Sequence, residues 1–441
     1  MIEAAFHYPK GFLWGTATSS HQVEGENRLN DWWAWEQQPG RILQGARSGL
    51  ACDWWGGRWK EDLDRAAAGG QNAHRLSVEW SRIEPEPGRW DSHALDFYRE
   101  LLAGMRERGI EPMVTLHHFT NPLWLAEAGG WEDEGIAARF EAFTRKTVAA
   151  LKDLTAFWCT INEPNVYAYC AFANGVFPPG RKDIRAALRV MRNQILAHAR
   201  AYHAIHEIQP QARVGIALQY RGMTPHTANP LDALAARTQA RLFNDLIPLA
   251  LTDGRLRFPV GWGRVAQAAR TQDYLGVNYY SYDHVSFDFG KPGELFARRF
   301  YPKGTDLSDI GWNANMPEGM ARAIRWANAF GLPIYITENG IEDEADRIRP
   351  RYLAQHLHQV WKAANTGVPV KGYFHWSLVD NFEWERGWTQ RYGLWALDPE
   401  TQRRNERPSA RLYAEICKEN GITSGMVRRY APEIYPVLFP G

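Results

Sequence analysis

Eight short β-type runs alternate with helix-like segments through the 441 residues, and this alternation narrows the possible folds more than any other feature. The runs lie at 12–18, 74–80, 113–119, 157–162, 214–220, 274–279, 334–337 and 372–377, with helical patterns between them at 94–108, 136–151, 184–208 and 350–365, among others. Eight strands separated by helices point to an α/β fold, a (β/α)8 barrel. The competing doubly wound sheet calls for a glycine-rich phosphate turn after its first strand, and Gly15-Thr16-Ala17-Thr18 is not one. Long stretches follow the first, fourth and sixth strands, as expected if loops on one face are enlarged into a pocket. No linker, low-complexity tract or repeat breaks the pattern, so residues 1–441 read as one domain.

The strand ends carry the chemistry. Two runs close on a glutamate followed by a turn residue, in Asn162-Glu163-Pro164 and in Thr337-Glu338-Asn339-Gly340. Barrels of this kind build their active sites at the C-terminal tips of the strands. Two carboxylates from different strands suit glycoside hydrolysis, one as acid, the other as base or nucleophile. The other ends are polar or aromatic: Gln22 beyond the first strand, Arg75 on the second, then His117-His118-Phe119, Asn278-Tyr279-Tyr280 and His375-Trp376-Ser377. Such side chains exchange hydrogen bonds with sugar hydroxyls. A lone histidine at a strand end is usually structural, but seven ends with the same character call for a shared purpose. Adjacent strand residues face opposite sides, so at most one of His117 and His118 lines the mouth. The two glutamates need separated pKa values. Apolar Trp158 and Val166, with Asn162 and the other carboxylate, favour a protonated Glu163, whereas Arg75 and Tyr280 favour an ionised Glu338.

Lys+Arg (51) and Asp+Glu (50) nearly cancel, with no single-signed stretch, which argues against nucleic-acid or anionic-membrane partners and for small neutral substrates. Cys52, Cys159, Cys170 and Cys417 show no metal or CxxC spacing and read as a reduced, cytoplasmic set, with Cys159 and Cys170 as buried fillers. The first eight residues show no secretory leader, and no apolar run reaches the roughly 18–20 residues of a membrane span. His117-His118 has no ligand-spaced partner, so no metal is expected, nor any organic cofactor. Nothing specifies an oligomeric state. Trp is unusually common, 20 of 57 aromatics. About half are expected in the core. Those in Asp31-Trp32-Trp33 and Asn381-Phe382-Glu383-Trp384 are expected to face sugar rings, which indole packs against well.

These motifs resemble glycoside hydrolase family 1, the β-glucosidase family. The match runs through Phe12–Ser20 with Gln22-Val23-Glu24-Gly25, Arg75–Ile83, His118, Thr160–Pro164, Gly276–Tyr280, Ile336–Gly340, His375–Trp384 and Arg391–Leu394. The resemblance implies a (β/α)8 barrel and a retaining, exo-acting β-glycosidase that takes small-molecule β-glycosides. It implies Glu163 as acid/base, Glu338 as nucleophile, Arg75 and Tyr280 as the nucleophile's partners and Asn278 as a support near the acid. Gln22, His118, Asn162, Glu383 and Trp384 match the residues that hold the sugar, Trp376 the platform beneath it, and Tyr392 a site position often held by Phe. Phe119 stands where many members have Trp, and His21 where Tyr is commoner. Thioglucosidases of the family carry Gln where this chain has Glu163. A branch specialised for 6-phosphosugars carries Ser and a Lys-x-Tyr pattern where this chain has Glu383 and Gln390-Arg391-Tyr392. A silent sugar-binding relative would lack one of the two glutamates. A structural pairing of Glu383 with Arg386 or Arg391 is the alternative to its sugar role.

Overall fold

The computed structural model describes residues 4–440; Met1–Glu3, where the reading of an absent leader begins, and Gly441 lie outside the described residues. Eight parallel strands close into a barrel: β1 (Leu13–Ala17), β2 (Ala73–Ser77), β3 (Glu111–His117), β4 (Phe157–Asn162), β5 (Arg213–Gln219), β6 (Tyr274–Asn278), β7 (Ile334–Asn339) and β8 (Val370–Trp376). β8 pairs with β1 to complete the ring. Each strand leads to an outer helix: α1 (Trp59–Ala68), α2 (Ser92–Glu107), α3 (Ile136–Leu151), α4 (Ile184–Ile208), α5 (Leu246–Asp253), α6 (Pro317–Asn328), α7 (Arg349–Asn365) and α8 (Pro408–Glu419). The barrel expected from the alternation of patterns is therefore present. The second strand is shorter than expected, because the chain turns helical at Trp80–Ile83, where Ile83 N–H bonds to Glu79 C=O and Glu79 N–H donates to Tyr98 Oη, which itself donates to Glu24.

Strand alternation sorts the side chains. Ala73, Met113, Phe157, Tyr274, Tyr335 and Phe374 pack together inside the barrel and fill its floor. Trp158, one residue beyond Phe157, faces outward among the helices, and its indole N–H donates to Gln209 Oε1 (2.9 Å). It therefore does not form the apolar surroundings of Glu163, as the strand period of two requires. Among the described residues ten Trp are buried, and eight of them are not in the wall of the cavity described below.

The loops at the C-terminal strand ends are large, as expected after β1, β4 and β6. Two further expansions have no periodic signature. The segment after β5 contributes a strand, Gly222–Pro225, to a small sheet with Tyr282–Phe287 and Ala297–Phe300 from the β6 loop. The segment after β8 carries Glu383 through Tyr392 and a short antiparallel pair, Trp395–Leu397 with Arg404–Glu406. That pair is tied to α1 by Arg404 and Asp62, whose side chains are both fully buried. Asp62 also accepts from the Trp54 indole (2.8 Å) and from Arg65 (2.7 Å).

Among the described residues no helix is long and apolar enough to cross a membrane, and all four cysteines are free.

Removing one partner of a buried ion pair strands the other charge. Asp62→Ala is expected to lower unfolding free energy by about 3–5 kcal/mol in urea titrations. Replacing both partners by apolar residues, Asp62→Leu with Arg404→Met, should recover most of that loss. A double variant no more stable than the single one would show that the pair contributes more than mutual neutralisation.

Candidate active site

Arg75 on β2 stands directly above the barrel floor, fully buried, with its guanidinium reaching three other strands, the adjacent β3 and the more distant β4 and β7. Nη1 donates to Glu338 Oε1 on β7 (2.5 Å), Nη2 to Asn162 Oδ1 on β4 (2.6 Å), and Nε to Thr115 Oγ1 on β3 (3.2 Å). The other oxygen of Glu338 accepts from Tyr280 Oη (2.6 Å). Glu338 is thus held at both oxygens by donors that favour its charged form. Burial raises its carboxyl above the ordinary range, and the Arg75 charge with the Tyr280 hydrogen bond pulls back against that rise.

Glu163 follows β4 and has no cation in contact. Its Oε1 accepts from Asn278 Nδ2 (2.9 Å), and Val166 lines the cavity beside it. Burial first, and the Glu338 charge second, push its pKa up to about 8. Both carboxyls are raised by burial, but only Glu338 has a cation and a phenol in contact that oppose the rise, and Trp158 plays no part. Asn278 is itself fixed, because Thr337 Oγ1 donates to its Oδ1 (2.6 Å) and its Nδ2 also reaches Asn162 Oδ1 (3.1 Å).

This network sets a tautomer. Asn162 Oδ1 already accepts from Arg75 and Asn278, so its Nδ2 is the atom facing His118 Nε2 (3.1 Å). His118 must accept there and carry its proton on Nδ1, which has no partner among the described residues. Burial, then the Arg75 charge, hold its pKa well below the usual value, so the ring is neutral. His117 faces the other way, against Trp131 and Asn121, as alternation demands.

A cavity of about 1100 Å³ opens over these groups, with Glu163, Glu338, His118, Tyr280, Trp376, Glu383, Trp384 and Tyr392 in its wall. Trp376 donates its indole N–H to Glu383 Oε1 (3.0 Å). Glu383 pairs with neither Arg386 nor Arg391; burial raises its carboxyl well above the ordinary range, with the Trp376 bond opposing. Trp384 lies between the parallel rings of His118 and His21, 5.9 Å from each. His21 is therefore packing, bonded through Nδ1 to Asn30 and held neutral by burial. Phe119 meets Trp384 edge-on at 5.2 Å.

Some expected residues stand behind the wall. Gln22 donates from Nε2 to Asn381 Oδ1 (2.9 Å) and Phe382 C=O (2.8 Å), and so fixes the loop that presents Glu383 and Trp384. Asn162 and Asn278 position the groups just described. Trp32 backs Trp384 at 4.7 Å and Asp31 binds Asn121, so the Asp31-Trp32-Trp33 cluster supports the cavity rather than facing a ring in it. Cys159 is buried near Arg75, whereas Cys170 lines the cavity, contrary to the expectation of a buried filler.

The sequence reading missed the Tyr392 support. Asn313 Nδ2 donates to Tyr392 Oη (2.7 Å) and Glu342 Oε2 (2.8 Å), joining the β6 and β7 loops. It also missed the outer wall, where Tyr169, Phe243, Arg299, Trp312 and Gln390 gather from separate loops. An aromatic in a polar stretch, as in Gly311-Trp312-Asn313, was the one signal available. Gly340 has a steric reason: a Cβ there would lie 2.0 Å from Trp376 C=O, so only glycine lets β7 and β8 end side by side.

Among the described residues no three His, Cys, Asp or Glu side chains cluster in a way that would hold a metal. One carboxyl raised to about 8 and a second bound by a cation and a phenol, in the wall of one cavity, can together protonate a leaving oxygen and attack the carbon it leaves.

The chain matches the model of glycosyl hydrolase family 1 over residues 4–255 and 262–422. It is 34% identical to β-glucosidase A of Thermotoga maritima, over 94% of this chain and 98% of that protein. A β-galactosidase of Sulfolobus acidocaldarius is 33% identical over 94% of this chain and 96% of its own length. The solved β-glycosidase from Pyrococcus horikoshii superposes with a TM-score of 0.91 at 36% identity, covering 97% of this chain and 98% of the other. With the barrel, the paired glutamates and these likenesses together, the chain belongs to glycosyl hydrolase family 1 and is a β-glycosidase.

Proposed function

We propose that the protein is a retaining, exo-acting β-glycosidase that removes terminal non-reducing β-D-glucosyl residues, and also galactosyl and fucosyl residues, by double displacement. The observation that carries this reading is the unequal treatment of the two carboxyls: Glu338 bound by Arg75 and Tyr280, Glu163 by the neutral Asn278 alone. In the first step a Glu338 oxygen attacks the anomeric carbon. The bond to the leaving oxygen breaks, and Glu163 delivers its proton to that oxygen. Forming the ester removes the Glu338 charge, one of the two causes that raise Glu163, so Glu163 becomes more acidic and acts as base. Water then gives its proton to Glu163 and attacks the same carbon, releasing Glu338 and a sugar of unchanged configuration.

Exo action is supported by the filled barrel floor beneath Arg75, which stops a polymer from threading past the site. At the closed end Trp376 offers an indole face and Glu383 a carboxyl to the sugar's distal hydroxyls. A 6-phosphate dianion would meet the Glu383 and Glu338 carboxyls, with Arg75 already engaged. The four cysteines, free among the described residues, support a cytoplasmic location.

A fluorinated glycoside that slows deglycosylation is expected to label Glu338, and Glu338→Gln to lose on the order of several powers of ten in rate. A label mapped to another residue would refute the assignment, and an inverted first product seen by NMR would refute retention.

For Glu163 the sign follows from its need for a proton: kcat/KM should fall as pH rises through about 8. Glu163→Ala should abolish that limb and harm substrates with poor leaving groups far more than activated ones. In Glu338→Gln the Glu163 pKa should drop, because a like charge is gone; carboxyl NMR titration reads this directly, and an unmoved value would mean the two do not interact.

Glu383→Ser should weaken hydrolysis of a plain glucoside and relax discrimination against its 6-phosphate. Unchanged kinetics on the plain glucoside would remove Glu383 from the list of sugar ligands.

A further inference from the structure

The cavity changes sign from its closed end to its mouth. At the closed end stand the carboxyls of Glu163, Glu338 and Glu383, with Arg75 engaged behind them. Toward the mouth the wall carries four arginines and three acids. Each of those acids is matched. Asp283 takes both arms of Arg221 (2.7 and 2.8 Å), Glu294 binds Lys291 (2.7 Å), and Glu385 lies 3.5 Å from Arg386. Arg386 also rests 3.9 Å from the centroid of the Trp312 ring, and Arg41 lies exposed across Trp35 at the same distance. Arg299 stands apart. It is half-buried, among the described residues no carboxylate pairs with it, and its hydrogen-bond acceptor is the Tyr169 Oη, which Nη2 reaches at 3.1 Å.

Arg299 also lies on the side of the acid. The chain after Glu163 forms a short helix, Pro164–Tyr167, and then a π-helical stretch, Ala168–Asn174, which brings Tyr169 and Cys170 into the cavity wall. The Cys170 thiol feels the charges of both Glu163 and Arg299. A leaving group that takes a proton from Glu163 therefore departs past Arg299. Phe243 and Trp312 give the same part of the wall its aromatic surface.

A guanidinium drawn partly out of water forfeits hydration that one phenol oxygen replaces only in part. A carboxylate matches its planar fork with two charge-assisted bonds, whereas a neutral hydroxyl offers one bond and no charge. The closed end enforces the orientation of such a ligand: Glu338 and Glu383 repel an anion, so the neutral sugar goes inward and the charged end stays at the mouth.

We propose that Arg299 makes aryl β-glycosides with a carboxylate on the leaving group a preferred substrate class, its guanidinium pairing with that carboxylate while the sugar lies between Trp376 and Glu383. This rests on the β-glycosidase reading above and adds to it the chemistry of the leaving group.

The test compares 3- and 4-carboxyphenyl β-glucosides with their carboxamide counterparts. For each enzyme kcat/KM on the acid is divided by kcat/KM on the amide, and the wild-type ratio is then divided by that of Arg299→Gln, so the unequal acidities of the phenols cancel. For at least one ring position the quotient should be about tenfold or more, and it should shrink as salt is raised. A quotient near one at both positions would overturn the proposal. If the Gln variant misfolds, wild type decides: at least one of 3- and 4-hydroxybenzoate should inhibit hydrolysis of a nitrophenyl β-glucoside at about tenfold lower concentration than its hydroxybenzamide, and equal inhibition by acid and amide overturns the proposal. Wild type inactive on every glucoside would overturn the glycosidase reading and this proposal with it; an active wild type whose ratio the Gln variant shares overturns only the role of Arg299.

Discussion

A guanidinium with no access to solvent is the constraint on which the rest of the site depends. Placing Arg75 above a floor of Met113, Phe157, Tyr274, Tyr335 and Phe374 costs several kcal/mol in lost hydration unless charge and hydrogen bonds replace the water. Glu338, Asn162 and Thr115 do so, and each belongs to a different strand. The barrel cannot close well around Arg75 without bringing these three to fixed positions. The geometry of the nucleophile candidate is therefore set during folding rather than on substrate binding. Water is kept from Arg75 by the floor below, and the cavity above meets its partners rather than the charge itself.

The same placement propagates outward by exclusion. Because Asn162 Oδ1 is occupied twice, its amide nitrogen has one direction left, and His118 has one tautomer left. Because Asn278 Oδ1 is taken by Thr337, its nitrogen turns to Glu163. Each step uses a donor or acceptor already spent elsewhere, so orientation passes from the charge outward to His118 and Glu163. The chain of satisfied groups stops at His118 Nδ1, a buried atom with no hydrogen-bond partner among the described residues.

How far this could be read from sequence follows from what each signal measures. The barrel strands were legible to within a few residues, because a buried strand between helical repeats leaves a local pattern. Glu163, Glu338 and Arg75 were legible because each lies on or just beyond such a strand. Trp158 was misread because adjacency in sequence was taken for adjacency in space, although a period of two sends it outward. Trp32 was placed with the sugar because Trp beside a carboxylate looks alike in a wall and behind one. The Asn313–Tyr392–Glu342 link and the unmatched charge of Arg299 were not legible at all. Whether a polar atom has a partner depends on loops far apart in the chain, and no window of sequence contains that.

The backbone explains why strand tips rather than strand middles host the two carboxyls. Register slips between Cys159 and Asn162 on β4, and again on β7 beside Glu338, on both of its edges. An irregular ladder there re-aims side chains that a regular pleat would point alternately at helices and at the floor. Glu163 goes further, at φ 44° and ψ 55°, a left-handed conformation unusual for a residue other than glycine. Holding it costs on the order of 1 kcal/mol or more. That cost is met by Pro164, which starts a short helix with its fixed φ, and by Glu163 N–H, which donates to Ala217 C=O on β5 (2.8 Å). Relaxing Glu163 to an ordinary extended φ would carry its carboxyl out of the reach of Asn278 and away from the cavity. Glu163 is kept in place by its own backbone, whereas Glu338 is kept in place by charge. Two carboxyls that feel each other's charge, held by different means, can change protonation in turn without either one having to move.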